Sequence, residues 1–315
     1  GSGNNDNNVN NINNINNANN TNSVNNTTST NNPAGIYVGN GDVWSWGELT
    51  VEAVTIDAGS DGAPVLIRVY APSLPGEYAV VLFQHGFLLS SSYYSEMLTH
   101  LASHGFIVVA PQMYDAGGLP FGKPTAAEEA LTGADVVSWI EAHLADHITG
   151  TPAWEHMGIA GHSRGGKVSW LMLTAQPTMA DAVAGIDPVD GTGGPLGGEE
   201  RVIQGPFNLP MPSYILGTGL GPTGMQACAP EGDNHEQFYE ASASPAYHVV
   251  ATDYGHLDML DDVTEGCGME CTSCAEGPEP ALMRTLTAAH LTAFFRASLQ
   301  GVTTPYAVLS ETQSP

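Results

Sequence analysis

Between residues 79 and 251 the chain alternates two patterns. Short, mostly apolar runs occupy residues 79–83, 106–110, 157–160, 182–186, 213–216 and 247–251. Runs this short, with little polar alternation, read as strands buried on both faces, as in a parallel sheet. Between them apolar residues recur every three or four positions. Residues 92–104 read as a helix ended by Gly105, and Val168, Leu171, Met172 and Ala175 mark a second. Thr125 and Glu128 form a capping box after Pro124, with Leu131, Val137, Ile140 and Leu144 expected on one helical face. A last amphipathic helix, residues 281–299, carries Met283, Leu286, Ala293 and Phe294 and stops at Gly301. Earlier, residues 50–56 and 65–70 read as two strands joined through a turn at Gly59-Ser60-Asp61-Gly62. The sum is an α/β fold: a mostly parallel sheet of about eight strands with an antiparallel start and helices on both faces. Residues 188–211 and 217–246 are rich in Gly and Pro and poor in periodicity, and read as long loops shaping a pocket.

Charge narrows the partners. Acidic residues outnumber basic ones 33 to 7, a formal charge of −26. Such a surface repels nucleic acid and anionic membranes, and points to a saline or extracellular setting. No apolar run approaches the roughly 18–20 residues that span a bilayer. Seventeen of the first 32 residues are Asn, so residues 1–32 are expected to be disordered, with Gly1-Ser2-Gly3 a remnant of cloning. This tail reads either as a tether behind a cleaved signal or lipid anchor, or as a dispensable extension. Residues 33–315 then form one domain. The expected location is extracytoplasmic or secreted, with plastid and cytoplasm as alternatives. The four cysteines, Cys228, Cys267, Cys271 and Cys274, suit two disulfides of unspecified pairing, with free thiols or a zinc site as alternatives. Disulfides are preferred, and no metal is expected.

The chemistry concentrates at Gly161-His162-Ser163-Arg164-Gly165, set between an apolar run and a helical pattern. Gly-x-Ser-x-Gly in that context is the nucleophile elbow of α/β-hydrolases. A strained turn pushes the serine hydroxyl out of the sheet, and the following helix N-terminus favours negative charge there. A nucleophilic serine needs a base and an acid, in the chain order Ser, acid, His. Of the later histidines, His235 lies in a long loop, His248 in a strand and His290 in the last helix. His256 follows the last strand directly and is the expected base. For the acid, Asp187 emerges at the carboxyl end of a strand and is preferred to Asp190 or Asp233. The amides of Phe87 and Arg164 are the expected oxyanion donors, by position alone. His85 reads as a hydrogen-bonded structural residue. Phe87, Leu88, Leu89, Tyr93 and Met113 either line a broad apolar groove or belong to ordinary core packing.

Four separated blocks then agree with one family. Gly161–Lys167, Gly185-Ile186-Asp187-Pro188-Val189-Asp190-Gly191-Thr192-Gly193, Cys228-Ala229-Pro230-Glu231-Gly232 with Asn234-His235-Glu236, and Tyr254-Gly255-His256-Leu257-Asp258-Met259-Leu260-Asp261-Asp262 together resemble chlorophyllases. The likeness covers roughly residues 50–300. It implies an α/β-hydrolase that cleaves the phytyl ester of chlorophyll to chlorophyllide and phytol, without a cofactor. Residue matching puts Ser163, Asp187 and His256 on the family's triad. The asparagine tail and the cysteine cluster are unlike the plant enzymes. The expected partner is therefore a hydrophobic, chlorophyll-like ester, the oligomeric state staying open. A broad carboxylesterase or cutinase-like polyester hydrolase is the main alternative. A non-catalytic binding protein on the same scaffold is the other.

Overall fold

The computed structural model describes residues 9–12, 35–118, 121–191, 200–223, 227–262 and 273–302. The antiparallel start expected from the sequence is present. β2 (Val51–Ile56) pairs with β3 (Leu66–Pro72), and β3 pairs antiparallel with β5 (Phe106–Gln112). The remaining pairings are parallel: β4 (Glu77–Gln84) lies between β5 and β6 (Thr151–His162), followed by β7 (Ala182–Ile186), β8 (Ser213–Thr218) and β9 (Ala246–Ala251). One difference from the sequence reading lies in the tail. Val9–Ile12 form a short strand, β1, added parallel to the outer edge of β9. An open edge offers unpaired backbone groups to any extended segment, whatever its side chains. The rest of residues 1–34 lies outside the described residues.

Each sheet face carries its own core. On one side α1 (Ser95–Ser103) and α5 (Pro280–Leu299) bury Met97, Leu98, Leu101, Phe294 and Phe295 against the sheet, with Phe295 on Phe106 of β5 and Phe294 on Tyr214 of β8. On the other, α2 (Ala126–His143), α3 (Arg164–Ala175) and the short α4 (His235–Ala241) pack Val136, Ile140, Trp170, Leu173 and Phe238. The capping box expected at Thr125 and Glu128 is formed, with the Thr125 amide donating to the Glu128 carboxylate at 2.8 Å. The expected face of α2 needs a correction. Val137, Ile140 and Leu144 are buried, but Leu131 is 70% exposed. The helix turns Gly133 toward α3 instead, and the Met172 sulfur lies 2.7 Å from where a Cβ at 133 would stand. Close helix approach, not side-chain size, sets this face.

Several histidines are carried inside the fold. Burial pulls His85, His104 and His290 down to about 4, and His162 and His248 to about 3. In an unfolded chain histidine titrates near ~6.5. From about pH 6.5 downward the unfolded chain therefore binds more protons than the folded one, until the folded groups themselves titrate, and stability rises with pH across that window. Each such histidine contributes at most about 1.4 kcal/mol per pH unit. We expect the melting temperature to drop steeply from about pH 7 to pH 5 in roughly 0.5 M salt, where surface carboxylate repulsion is screened. A flat profile over that range would contradict this reading of the buried rings.

Candidate functional site

β6 and β7 run side by side, with His162 paired to Ile186, so that Ser163 and Asp187 are the next residues out of the sheet. The Ser163 amide donates to the Ile186 carbonyl at 3.0 Å, and the Asp187 amide donates to the Leu216 carbonyl at 2.6 Å. Both residues hold positive φ, 55° for Ser163 and 41° for Asp187, and Leu88 joins them at 63°. Side-chain-bearing residues avoid this region at a cost of about 1–3 kcal/mol each. Leu88, Ser163 and Asp187 all follow the carboxyl ends of neighbouring parallel strands, where open α/β sheets bind ligands. The elbow's glycines permit its sharpness. A Cβ at Gly161 would stand 2.2 Å from the Gly165 carbonyl oxygen, and one at Gly165 equally close to the oxygen of Gln84, at 2.2 Å. Close backbone contact thus seats the elbow against the end of β4.

Asp187 is fully buried, yet it is well satisfied. His256 Nδ1 donates to Oδ2 at 2.6 Å, the Thr218 hydroxyl donates to the same oxygen at 2.6 Å, and the Thr218 amide donates to Oδ1 at 3.0 Å. Burial alone would raise this carboxyl; the His256 and Thr218 hydrogen bonds and the charge of His256 outweigh it and hold Asp187 below the usual range. When His256 carries a single proton, an ionised Asp187 fixes it on Nδ1 and leaves Nε2 as an acceptor. That arrangement can take a proton from a hydroxyl and return it to a leaving group. Thr218 was not singled out in the sequence. Its only signal is its position at the end of β8.

The rival acids are occupied elsewhere. Asp190 accepts the Val202 and Ile203 amides at 2.8 and 3.0 Å and faces the buried Lys167 ammonium at 3.4 Å. Asp233 pairs with Arg201. The rival histidines are likewise engaged. His235 Nδ1 lies 2.8 Å from His248 Nε2, and His290 Nδ1 lies 2.9 Å from the Tyr214 hydroxyl. His235 opens α4 rather than lying in an open loop, because Asn234 and Gln237 form a capping box there.

Arg164 opens α3, so its amide lies at the positive end of the helix dipole. Its buried side chain donates to Glu129 at 2.6 Å and to the Pro124 carbonyl at 2.5 Å, and lies 4.7 Å over the Phe87 ring. This clamps the start of α2 and the turn after β4 against the elbow. His85 is structural: its Nδ1 bonds the Gly86 carbonyl at 2.8 Å while Nε2 accepts the Met113 amide at 3.0 Å. Among the residues considered for an apolar groove, Phe87 and Leu88 are half-buried. Leu89, Tyr93 and Met113 are buried, with Leu89 and Tyr93 packed into the core beside α1. Cys228 and Cys274 form a disulfide, whereas Cys267 and Cys271 lie outside the described residues. Among the described residues no cluster of His, Cys, Asp and Glu could hold a metal ion, and no helix is long and apolar enough to cross a membrane.

Comparison with known proteins gives a consistent result. A family model described as Chlorophyllase matches residues 40–315. Chlorophyllase-2 of Arabidopsis thaliana is 35% identical over 259 residues, covering 77% of this chain and 80% of the relative. Chlorophyllase-1 of the same plant is 36% identical over 271 residues, covering 81% and 82%. Chlorophyllase-1, chloroplastic, of Citrus unshiu is 37% identical over 229 residues, covering 70% and 68%.

Proposed function

The chain belongs to the chlorophyllase family, and we propose that it hydrolyses the phytyl ester of chlorophyll through Ser163, Asp187 and His256. That it is a chlorophyllase-like ester hydrolase follows from the family; the triad and the particular ester are our reading. The observation that carries it is the buried Asp187–His256 hydrogen bond of 2.6 Å, formed beside the strained elbow serine. His256 Nε2 removes the proton from Ser163, and the alkoxide attacks the ester carbonyl. The amides of Phe87 and Arg164 stabilise the oxyanion. Loss of one such donor typically costs about 10²–10³ in rate. Protonated His256 gives its proton to the leaving alcohol oxygen and, neutral again, takes one from the water that attacks the acyl-enzyme.

Substrate is tested by incubating pure protein with chlorophyll a, a short p-nitrophenyl ester and a polyester film, and separating the products. The expected result is chlorophyllide and phytol from chlorophyll a. Rapid cleavage of the short ester with no chlorophyllide would favour a broad carboxylesterase instead, and film hydrolysis a cutinase-like enzyme. For location, the Cys228–Cys274 disulfide and the acidic surface support an oxidising, extracytoplasmic setting. Relatives from Citrus unshiu and Citrus sinensis are named chloroplastic, which supports a plastid instead. Cell fractionation distinguishes the two.

A further inference from the structure

We infer that Tyr94 and His162 are positioning residues of the ester hydrolysis, joining the turn at Gly86, the elbow and the main chain of His256 through one directed run of hydrogen bonds. The inference rests on the triad proposed above. Its direction follows from what each atom can do. The His256 carbonyl can only accept, so His162 Nε2 carries the proton and donates to it at 2.8 Å. Burial, then the charge of His256, lower His162 to about 3, so the ring is neutral near pH 7 and its Nδ1 holds a lone pair. The Tyr94 hydroxyl donates to that nitrogen at 2.8 Å and accepts the Gly86 amide at 3.0 Å. Each hydrogen bond in the run therefore has one direction.

The run touches all three parts of the proposed machinery. Gly86 precedes Phe87, His162 precedes Ser163, and His256 is the base. The rings of His162 and His256 lie 4.7 Å apart. Tyr94 itself is held independently of its hydroxyl. Its ring packs on Phe83 at 4.8 Å, and the adjoining backbone is latched to the loop after His256, because Asp261 accepts the Ser95 and Glu96 amides at 2.9 and 3.1 Å. A phenylalanine at 94 would keep this packing and leave the buried Gly86 amide and His162 Nδ1 without their partner. The elbow and the oxyanion turn then lose their shared anchor, and a displacement of about 1 Å at reacting groups can cost about 10²-fold.

The test measures kcat and KM on a short p-nitrophenyl ester, per mole of folded protein, for Tyr94→Phe, His162→Gln and His162→Leu, together with Ser163→Ala. Glutamine retains one donor and one acceptor; leucine retains neither. Tyr94→Phe is expected to lower kcat about 10- to 100-fold while KM stays within about threefold. His162→Leu should fall at least as far, and His162→Gln should recover to within about tenfold of wild type. Should Tyr94→Phe not fold, the glutamine–leucine pair decides alone. Wild-type kcat in Tyr94→Phe, a change confined to KM, or glutamine no better than leucine would overturn the inference. If Ser163→Ala stays active, the triad reading has failed instead.

Discussion

Ser163→Ala is expected to lower kcat on any cleaved ester by about 10⁵–10⁶, leaving only what the oxyanion donors and substrate binding provide. The size follows from the site's construction. The backbone holds Ser163 at a φ of 55°, a conformation that alanine would also find unfavourable, so the substitution leaves the strain in place and removes only the hydroxyl. The side chain is nearly buried, and deleting one oxygen there should change melting temperature little. Steady-state kinetics on chlorophyll a and a short ester, with thermal melting alongside, check this. An alanine variant retaining even a hundredth of wild-type turnover would show that another residue attacks the ester.

The second large effect is expected at the acid. Asp187→Asn should lower kcat by about 10⁴, as a misplaced imidazole proton does in other triads. Asparagine fits the same space, and its carbonyl can still accept the Thr218 amide that now donates to Oδ1 at 3.0 Å. Its amide group then faces His256 Nδ1 as a donor, which forces the histidine proton onto Nε2 and removes the base. Near-normal turnover of Asp187→Asn would transfer the role of acid elsewhere. The structure makes that transfer hard, since Asp190 is committed to Lys167 and two amides, and Asp233 to Arg201. Thr218→Val isolates the supporting contact. It keeps the carboxylate but removes the hydroxyl 2.6 Å from Oδ2, and should cost about tenfold, in line with one buried hydrogen bond to a charged group.

How much of this was legible in the sequence depends on range. The elbow was, because its requirements are local: glycines flanking a serine, an apolar strand before and a helical pattern after. Asp187 and His256 were legible as residues leaving strand ends, although more than a hundred Å of chain can separate partners that the sheet brings together at about 5 Å per strand. Thr218 was not, since a threonine at a strand end has no distinctive signature until its partner is known. Tyr94 and His162 were hidden for the same reason, being 68 residues apart and joined only in space. Helix α4 was missed because its seven residues show no apolar period, and only the Asn234 cap announces it. Leu131 misled because it was placed on one face with Val137, although six residues at 3.6 per turn put it about 120° away around the helix, off the face that Gly133 turns toward α3. The pairing of Cys228 with Cys274 likewise needed coordinates, because four cysteines allow alternative pairings.

The proposed mechanism requires that the hydroxyl of Ser163 be activated by an imidazole oriented through Asp187. A fluorophosphonate probe tests it most directly, because it forms a stable bond only with an activated serine. After labelling, digestion and mass spectrometry, the adduct should lie on Ser163, appear at full stoichiometry in the wild type, and be lost when His256 is replaced by alanine. A labelled peptide that excludes Ser163, or undiminished labelling of Ser163 in His256→Ala, would contradict it.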